Sequence, residues 1–453
     1  MLGRRAPPSS FASHATMVSA DPGSSSFPFS RPANPSLRAL LRRGAAALVL
    51  FVLLGFPSGA HAQDAPFFEA ELLFPLEHWH NHASSIVELP SGDLLVCWYH
   101  GSGERQADDV VIQAARKPAG SEHWNERFTI ENVPGYPDAN PTFFLDDRER
   151  LWLLWPTILA NEWHTALMKY RISTDYDQDP PTWSVSRVMH LKPGEQFLET
   201  VRAEQDRIER PDARAEEQDE LREHLAANER KAADKYYRRL GWMTRAHPTQ
   251  LPDGRILVPL YSDGFSISLM AITDDGGRTW STSEPLVGLG NIQPTIARRS
   301  DGTLVAYMRD NGPPPKRMPV STSDDEGATW SSVRDGQLPN PGSGAEVTEL
   351  EDGTWAMVYN DTEEGRHRLA IALSDDEGAS WPVKRYIERD PDEAPPEEKG
   401  EYGYPSIVQA EDGTIHVTYS YFHPPGDSKT DEEGRLIRKS IKHARFNQAW
   451  VRE

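Results

Sequence analysis

The sequence predicts an all-β protein, a six-bladed β-propeller with a helical insertion between blades two and three. A turn motif recurs at a fixed period, weaker turns fill the gaps in that period, and one charged segment interrupts it. The motif S/T-x-D-x-G-x-S/T-W ends at Trp280, Trp330 and Trp381, in steps of 50 and 51 residues. Self-similarity at such a period indicates a repeated supersecondary unit, which must stack on its neighbours to bury a core.

The motif has the chemistry of a tight turn. Asp and Ser/Thr side chains accept hydrogen bonds from nearby backbone N–H groups, and Gly supplies a positive φ. In the copy Ser323–Trp330 the tryptophan that follows is a large apolar group able to begin the next strand. We expect each motif to join the third and fourth strands of a blade. Turn chemistry explains every residue of the motif, so the sequence predicts a structural role for Asp325 and not a catalytic one.

A second type of turn, Asp-Gly or a relative followed by a β-rich strand, occurs six times. These turns are Ser91-Gly92, Asp147-Arg148, Asp253-Gly254, Asp301-Gly302, Asp352-Gly353 and Asp412-Gly413, and the tryptophans that close the units are Trp124, Trp183, Trp280, Trp330, Trp381 and Trp450. Six turns and six tryptophans predict six four-stranded blades. Radial repetition of this kind leaves only short, protected sheet edges.

One segment, about residues 193–241, breaks the period. It is rich in helix formers with Glu-to-Arg pairing and is interrupted by Pro211. We expect two helices that wall the functional face and bring Trp242 and Arg245 to its rim. The alternative is a solvated helical hairpin with no role. A second insertion, Asp390–Glu401, is acidic and proline-rich and is predicted to be a loop.

Composition excludes several functional classes. A net charge of −21 over 453 residues, with no basic stripe to balance it, argues against nucleic acid as a partner. Cys97 is the single cysteine, which excludes an intrachain disulfide and cysteine metal clusters. No metal signature is evident, and the sequence predicts neither a metal site nor a cofactor.

The N-terminus predicts export. Residues 1–36 are rich in Ser, Pro and Ala and are expected to be disordered, and residues 37–62 are expected to be a secretory signal. Arginines precede the apolar run 45–56, and Ala60-His61-Ala62 forms a small-residue cleavage site. The run is too short for a confident membrane span. We therefore expect a periplasmic or secreted propeller over residues 63–450, with no stable membrane span after cleavage.

Function is expected where the first strands of the blades begin. In a propeller these strand starts share one face with the loops between the second and third strands. Aligning the six first strands on their turns gives one equivalent position in each: His82, Asn140, His247, Gln293, Gly344 and Tyr404. We expect the polar members to form a binding site. The alternative is that they fill the axis by bonding one another.

The loops between second and third strands add charge to the same face. They contribute Tyr99, His100, Glu104, Arg105, Asp108, Asp109, Tyr261, Asp263, Arg309, Asn311, Asn360, Arg366, Arg368 and Lys442. Arginine forks bind carboxylates and sulfates through two parallel hydrogen bonds, so the pattern indicates an anionic substrate. The alternative is a set of exposed, individually weak salt bridges.

The repeated motif, the six blades and the signal together resemble the sialidase (neuraminidase) superfamily of Asp-box or BNR-repeat proteins, over about residues 66–450. The resemblance implies exo-acting removal of terminal, usually acidic, sugars by a tyrosine nucleophile paired with a glutamate, an acid/base carboxylate and three arginines. By position, Tyr404 matches the nucleophile. Glu104 lies near the acid/base carboxylate, with Asp108 and Asp109 as rivals.

Other positions depart from the family pattern. His82 stands where the first arginine is expected, Asn360 lies near the place of the second, and Glu346 lies near the place of the paired glutamate. The resemblance therefore implies a site without an intact arginine triad. Related propellers act on rhamnose–glucuronate ends with a histidine in proton transfer, a role that His82 or His247 could take.

The sequence thus predicts an exo-acting glycoside hydrolase that removes a terminal acidic sugar, sialic acid or uronate-linked, from an oligosaccharide or polysaccharide. A lyase of the rhamnose–glucuronate type and a non-catalytic glycan-binding propeller are the alternatives. The predicted catalytic residues are His82, Tyr404, His247 and Glu104. The predicted substrate-binding residues are Arg105, Asp109, Asn140, Gln293, Arg309, Asn311, Glu346, Asn360, Arg368 and Lys442.

Overall fold

The computed structural model describes residues 65–208 and 214–453. The predicted disordered segment and signal lie outside the described residues. The first strand is β1 (Phe68–Leu72), and the helices are α1 (Gln196–Gln205), α2 (Ala215–Ala233), α3 (Lys235–Arg239) and α4 (Gln448–Arg452). Short 3-10 turns occupy Trp163–Thr165, Pro396–Glu398 and Pro425–Asp427.

The remaining strands form the blades in sequence order. Blade one has β2 (His80–Glu88), β3 (Leu94–Gly101), β4 (Val111–Lys117) and β5 (Phe128–Glu131), and blade two has β6 (Thr142–Leu145), β7 (Leu151–Ile158), β8 (Ala166–Ser173) and β9 (Val185–Val188). In blade three, β10 (Met243–Thr244) and β11 (Thr249–Gln250) both pair with β12 (Ile256–Ser262), followed by β13 (Ile267–Thr273) and β14 (Ser281–Thr282).

Blade four has β15 (Asn291–Arg298), β16 (Leu304–Asp310), β17 (Arg317–Ser323) and β18 (Arg334–Pro339), and blade five has β19 (Glu346–Glu349), β20 (Trp355–Asn360), β21 (Arg368–Ser374) and β22 (Val383–Arg389). Blade six contains β23 (Glu401–Gln409), β24 (Ile415–Phe422) and β27 (Lys439–Phe446), and a separate hairpin pairs β25 (Lys429–Thr430) with β26 (Leu436–Ile437). The predicted six-bladed propeller with its helical insertion is confirmed.

The N-terminal strand closes the ring, a feature that the sequence analysis did not include. Strand β1 pairs antiparallel with β27 and supplies the outer strand of blade six. Its Glu71 accepts hydrogen bonds from Lys117 Nζ at 2.6 Å and Trp124 Nε1 at 3.1 Å, both in blade one, and lies 3.5 Å from His443 Nδ1 in blade six. One carboxylate therefore links the first blade to the last.

The repeated motifs are turns between the third and fourth strands of blades three to five, as predicted. Asp325 Oδ1 accepts hydrogen bonds from Ser323 Oγ at 2.8 Å and Thr329 N at 2.9 Å, while Gly327 N donates to Ser323 Oγ at 3.0 Å. Burial opposes ionisation of the equivalent Asp275, but bonds of the same kind lower its pKa to about 2. Each of these aspartates therefore stabilises the turn to which it belongs.

The glycine of each motif is required by packing between blades. Gly277 and Gly327 have φ values of 90° and 82°, in the left-handed region that favours glycine. A Cβ atom on Gly277 would lie 2.6 Å from Trp152 of blade two, and one on Gly327 would lie 2.9 Å from Leu257 of blade three. The turn of one blade thus packs directly on the second strand of the blade before it.

The insertion is docked against blades two and three through an apolar face. Phe197, Val201 and Ala232 are buried in one cluster with Trp242 and Phe265. The structure corrects the predicted rim positions of Trp242 and Arg245, because both side chains are almost fully buried. Within the described residues, no helix has the length and apolar character that crossing a membrane requires.

Candidate functional site

Two rings of side chains lie along the propeller axis. Counting back from the first hairpin turn of each blade places Ala83, Asn140, Arg245, Gln293, Gly344 and Tyr404 at one level, which we call the outer ring. Two residues further along each strand lie Ser85, Thr142, His247, Thr295, Glu346 and Ser406, which we call the axial plug. In the outer ring Ala83, Asn140, Gln293 and Tyr404 share a positive φ, of 52°, 41°, 52° and 54°.

This register corrects the alignment made from the sequence. His82 precedes the outer-ring position of blade one by a single residue, and His247 follows that of blade three by two. The His-Pro-Thr stretch of blade three resembles the Tyr-Pro-Ser stretch of blade six, but its backbone is interrupted between β10 and β11. Arg245, and not His247, therefore occupies the position equivalent to Tyr404.

The axial plug is held together by its own polar contacts. His247 Nδ1 lies 2.9 Å from Glu346 Oε1, and His247 Nε2 lies 3.3 Å from Ser85 Oγ and 2.9 Å from the carbonyl oxygen of Ile86. Ser85 Oγ in turn lies 3.3 Å from Thr142 Oγ1. Burial lowers the pKa of His247, but the charge and hydrogen bond of Glu346 outweigh it and raise the pKa. His247 and Glu346, predicted to be site residues, thus form a structural pair.

Tyr404 is the outer-ring residue with which several polar side chains make contact. Arg309 Nη1 donates a hydrogen bond to the phenolic oxygen at 2.5 Å, and Gln293 Nε2 donates a longer one at 3.5 Å. Both groups are donors, so they favour the deprotonated form of the oxygen. Burial opposes that ionisation, but the charges of Arg309 and Arg366 and the bond from Gln293 lower the pKa of Tyr404.

Three arginines surround the Tyr404 ring. The guanidinium carbons of Arg245, Arg309 and Arg366 lie 5.3, 6.0 and 5.1 Å from the ring centre. The sequence comparison implied an incomplete arginine set because it examined His82 and Asn360. Arg245 was missed through the shifted register of blade three, which counting back from Asp253-Gly254 could have revealed. Arg366 was noted in its loop, but nothing in the sequence distinguishes it from Arg368.

His82 lies against Tyr404, with the two ring centres 4.2 Å apart. Its pKa is lowered well below the usual value, first by burial and then by the charges of His80 and the three arginines. His82 is therefore neutral near pH 7. The neighbouring His80 lies 3.2 Å from Glu104 Oε1, which also accepts a hydrogen bond from Tyr99 Oη at 3.3 Å.

Two carboxyl groups near Tyr404 have opposite pKa shifts. Burial raises the pKa of Glu104, but contacts with His80, Tyr99 and Arg105 lower it overall. Burial also raises the pKa of Asp263, and there the charges of Arg309 and Arg105 do not fully offset it. Two carboxyl groups whose environments push their pKa values apart are suited to different roles. Of the two groups, Asp263 has its pKa shifted toward the protonated form and Glu104 toward the ionised form.

The outer ring holds buried polar atoms that lack partners within the described structure. They are His82 Nδ1, Arg245 Nε and Gln293 Oε1. At Gly344 the ring has no side chain, and a Cβ atom there would lie 3.1 Å from Arg245 Nε and 3.2 Å from Gln293 Oε1. Because buried polar groups are normally hydrogen-bonded, this arrangement indicates a place for a polar ligand.

The other predicted site residues divide into two groups. Asn140 donates to Tyr261 Oη at 3.0 Å, Asn311 accepts from Arg309 Nε at 2.9 Å, and the Arg105 guanidinium lies 5.3 Å from the Trp163 ring centre. Asn140 belongs to the outer ring, and Asn311 and Arg105 lie in loops between second and third strands.

Four predicted substrate-binding residues have other partners. Arg368 pairs with Asp392, Lys442 pairs with Glu388, Asp109 accepts hydrogen bonds from Ser102, and Asn360 donates to the backbone oxygens of Arg368 and Tyr402. Their side chains are thus engaged in loop and blade contacts instead of facing Tyr404. Among the described residues no group of three or more His, Cys, Asp or Glu side chains could hold a metal ion.

Comparison with known proteins identifies the repeat. Residues 239–417 match the family described as BNR repeat-like domain. The structure of the leech intramolecular trans-sialidase complexed with 2,7-anhydro-Neu5Ac aligns with a TM-score of 0.59 at 13% identity, over 85% of this chain and 71% of that chain. The predicted resemblance to BNR-repeat, sialidase-like proteins is confirmed for the repeat and for the propeller fold. No curated protein sequence matches the chain.

Two further structures share this sialidase-like propeller. A Dyadobacter fermentans protein of unknown function aligns with a TM-score of 0.60 at 14% identity, over 84% of this chain and 98% of that chain. The Ruminococcus gnavus intramolecular trans-sialidase in complex with oseltamivir carboxylate aligns with a TM-score of 0.57 at 13% identity, over 83% of this chain and 96% of that chain. At these identities the similarity shows the fold alone.

Proposed function

We propose that this sialidase-like propeller is an exo-acting glycoside hydrolase that removes a terminal carboxylated sugar, sialic acid or uronate-linked, from a glycan. The observation that carries the proposal is the gathering of three guanidinium groups around the ring of Tyr404, one of which, that of Arg309, donates a hydrogen bond to its phenolic oxygen. Two of the similar structures contain carboxylated ligands, 2,7-anhydro-Neu5Ac in the leech trans-sialidase and oseltamivir carboxylate in the Ruminococcus gnavus trans-sialidase.

The arginines would bind the sugar carboxylate. Arg245, Arg309 and Arg366 all lie within 6.0 Å of the centre of one ring, that of Tyr404. Guanidinium forks match the geometry of carboxylates and bind them strongly in a desolvated site. The clamp would orient the anomeric carbon toward Tyr404.

Tyr404 would act as the nucleophile. Its deprotonated oxygen attacks the anomeric carbon, the bond to the leaving oxygen breaks, and protonated Asp263 gives that oxygen its proton. A water molecule, deprotonated by the Asp263 carboxylate, then attacks the same carbon, releasing the sugar and restoring Tyr404. The lowered pKa of Tyr404 and the raised pKa of Asp263 match these two roles.

The test is release of a terminal sugar from two probes, 3′-sialyllactose and a lactose-type disaccharide ending in glucuronic acid. We expect free acidic sugar from at least one probe, and a loss of at least about a hundredfold in turnover for Tyr404→Phe, the size of a lost catalytic group. No release from either probe, or unchanged turnover in a folded Tyr404→Phe variant, would refute the proposal.

A lyase acting on a uronate is the second candidate. The supporting observation is neutral His82, whose tilted ring packs against Tyr404 with an unpartnered Nδ1, next to a phenolic oxygen that accepts a hydrogen bond from Arg309. Such a pair could remove the C5 proton of a uronate while the arginines neutralise its carboxylate. The C4–O bond would then break to form a C4–C5 double bond, and the proton taken from C5 would pass to the leaving oxygen. An unsaturated product absorbs in the near ultraviolet and a hydrolysed one does not, so product spectra separate the two reactions.

We also propose that the protein is exported to the periplasm or beyond. Support comes from the arginines, the apolar run 45–56 and the Ala60-His61-Ala62 site in the sequence. N-terminal sequencing of the protein recovered outside the cytoplasm should start at Gln63. Recovery of an uncleaved chain from the cytoplasm alone would contradict export.

A further inference from the structure

We propose that an aromatic shelf, formed by Trp163, His164, Tyr236 and Tyr237, binds the neutral sugar on the leaving-group side of the glycan. This inference deepens the proposed function and rests on it. The shelf joins two segments far apart in the chain, the loop after β7 and helix α3 of the insertion. In this proposal, the helical insertion contributes to substrate binding.

Three of the shelf residues, His164, Tyr236 and Tyr237, pack on one another through tilted and edge-to-face ring contacts. The His164 ring centre lies 5.8 Å from that of Tyr237 and 6.1 Å from that of Tyr236, and the two tyrosine rings meet edge to face at 5.1 Å. Such contacts hold aromatic rings in fixed orientations. The shelf is therefore a rigid surface and not a set of independent side chains.

The shelf includes an aromatic side chain that is exposed to solvent, although large apolar side chains favour burial. Tyr236 is 40% exposed, and Leu159, in the same loop as Trp163, is 41% exposed. Tyr136 is 43% exposed, and its segment pairs with that of Leu159, because Ile158 N donates a hydrogen bond to the carbonyl oxygen of Pro137. Exposed apolar groups clustered in this way mark a binding surface, and aromatic faces suit the C–H faces of neutral sugars.

The shelf is continuous with the candidate active site on the side of the proton donor. A Cβ atom on Gly264, which follows Asp263, would lie 3.3 Å from His164 Cβ and 3.7 Å from the Tyr237 ring. Arg105, whose charge acts on Asp263, lies over Trp163. A proton donor serves the leaving oxygen, so the sugar that carries this oxygen would extend toward the shelf.

The insertion fixes the loop of Asp263 as well as carrying the shelf. Asn228 Nδ2 donates to the carbonyl oxygen of Phe265 at 2.9 Å, and Lys231 Nζ donates to that of Gly264 at 2.6 Å. Both donors belong to α2. The spacing between proton donor and shelf is therefore set by one rigid unit, as a subsite next to a reacting bond requires.

The experiment compares two substrates that differ only beyond the scissile bond. One is a 4-methylumbelliferyl glycoside of the released sugar, and the other is the same sugar linked to lactose. Tyr236→Ala should raise KM at least about fivefold for the lactose-linked substrate and leave the aryl glycoside within about twofold. Tyr236→Phe, which keeps the ring, and Leu436→Ala, which removes an exposed apolar side chain elsewhere (39% exposed), should match the wild type.

The outcomes separate the shelf from the chemistry. Equal effects of Tyr236→Ala on both substrates, or no effect on either, would overturn the shelf while leaving the hydrolase intact. If the wild type cleaves neither substrate, the proposed function fails. Saturation-transfer NMR with 3′-sialyllactose then decides: contact with the lactose protons that is lost in Tyr236→Ala supports a glycan-binding shelf, and absence of that contact overturns it.

Discussion

The outer ring and the axial plug lie two residues apart on the same six strands, yet their polar groups differ in one respect. In the plug, His247, Glu346 and Ser85 contact one another and neighbouring backbone groups. In the outer ring, Arg245 and Gln293 keep buried polar atoms without partners in the described structure. The polar groups of the plug have hydrogen-bond partners within the protein. The unpartnered polar groups of the outer ring are instead suited to binding a ligand.

The comparison also shows how one ring supports the other. Arg245 is buried, and burial lowers its pKa, while the negative charge of Glu346 acts in the opposite direction. Glu346 thus balances both His247 in the plug and Arg245 in the outer ring. A buried cation needs such a partner, because an uncompensated charge in the interior costs several kcal/mol. The plug therefore stabilises the buried guanidinium of Arg245 in the outer ring.

The largest expected effect on turnover concerns Asp263, which lies in the loop after β12 at the candidate functional site. Asp263→Asn should lower turnover of a lactose-linked substrate about a hundredfold, and much less for a 4-methylumbelliferyl glycoside whose leaving group needs no proton. Wild-type turnover should fall as the pH rises through the raised pKa of Asp263, and the variant should lack this alkaline limb. Equal losses on both substrates would exclude Asp263 as the acid. Glu104→Gln is the matched control, because it removes a carboxyl group of the same site whose pKa is shifted in the opposite direction.

Removal of Arg366 is expected to act on binding. Arg366→Ala should raise KM for a carboxylated substrate by about ten- to a hundredfold, the size of a lost charged hydrogen bond, with a smaller effect on kcat. The methyl ester of the same substrate should show little difference between variant and wild type. Arg368→Ala, whose guanidinium pairs with Asp392, serves as the control and should leave both constants near wild type. An equal loss on acid and ester would contradict the clamp.

Substitution in the plug should change stability and leave turnover within a few fold. His247→Gln removes the partner of Glu346 and should lower the free energy of unfolding by about 2 kcal/mol at pH 5.5. Glu346, with its lowered pKa, stabilises above its unfolded value of 4.5, and His247, with its raised pKa, stabilises below 6.5. The difference from wild type should therefore shrink as the pH falls through the folded pKa of Glu346 or rises through that of His247. A pH-independent difference would contradict this account.

The smallest effect is expected furthest from the axis. Trp330 is partly buried against the core between blades three and four, so Trp330→Ala should lower the free energy of unfolding by about 1–2 kcal/mol. Thermal denaturation measures the change, and turnover below the transition should equal that of the wild type. Reduced turnover in the folded variant would show that the turns on the far face influence the site.

The fold was predictable because its signals are local. The motif around Asp325 specifies a turn through its own side chains, and its period counts the blades. The closing strand β1 was missed because it belongs to blade six by pairing alone, and no repeat marks it in the sequence. Local chemistry therefore predicts turns well, and ring closure depends on a contact between chain ends.

The site was only partly predictable, for geometric reasons. Tyr404, Gln293 and Arg309 could be found because their strands follow the repeat without interruption. Arg245 could not, since its strand is split and the His-Pro-Thr stretch imitates the pattern of the other blades. The choice between Arg366 and Arg368 depends on the path of a loop, which sequence periodicity does not describe.

The central claim is that Tyr404 forms a bond to the substrate while the plug behind it only supports it. Its most direct test is labelling with a fluorinated, carboxylated glycosyl fluoride, whose fluorine next to the reacting centre slows release of the covalent intermediate. Mass spectrometry should locate one sugar adduct on the peptide that contains Tyr404, present in His247→Gln and absent in Tyr404→Phe. An adduct on another residue, or sustained turnover with no adduct on Tyr404, would contradict the account.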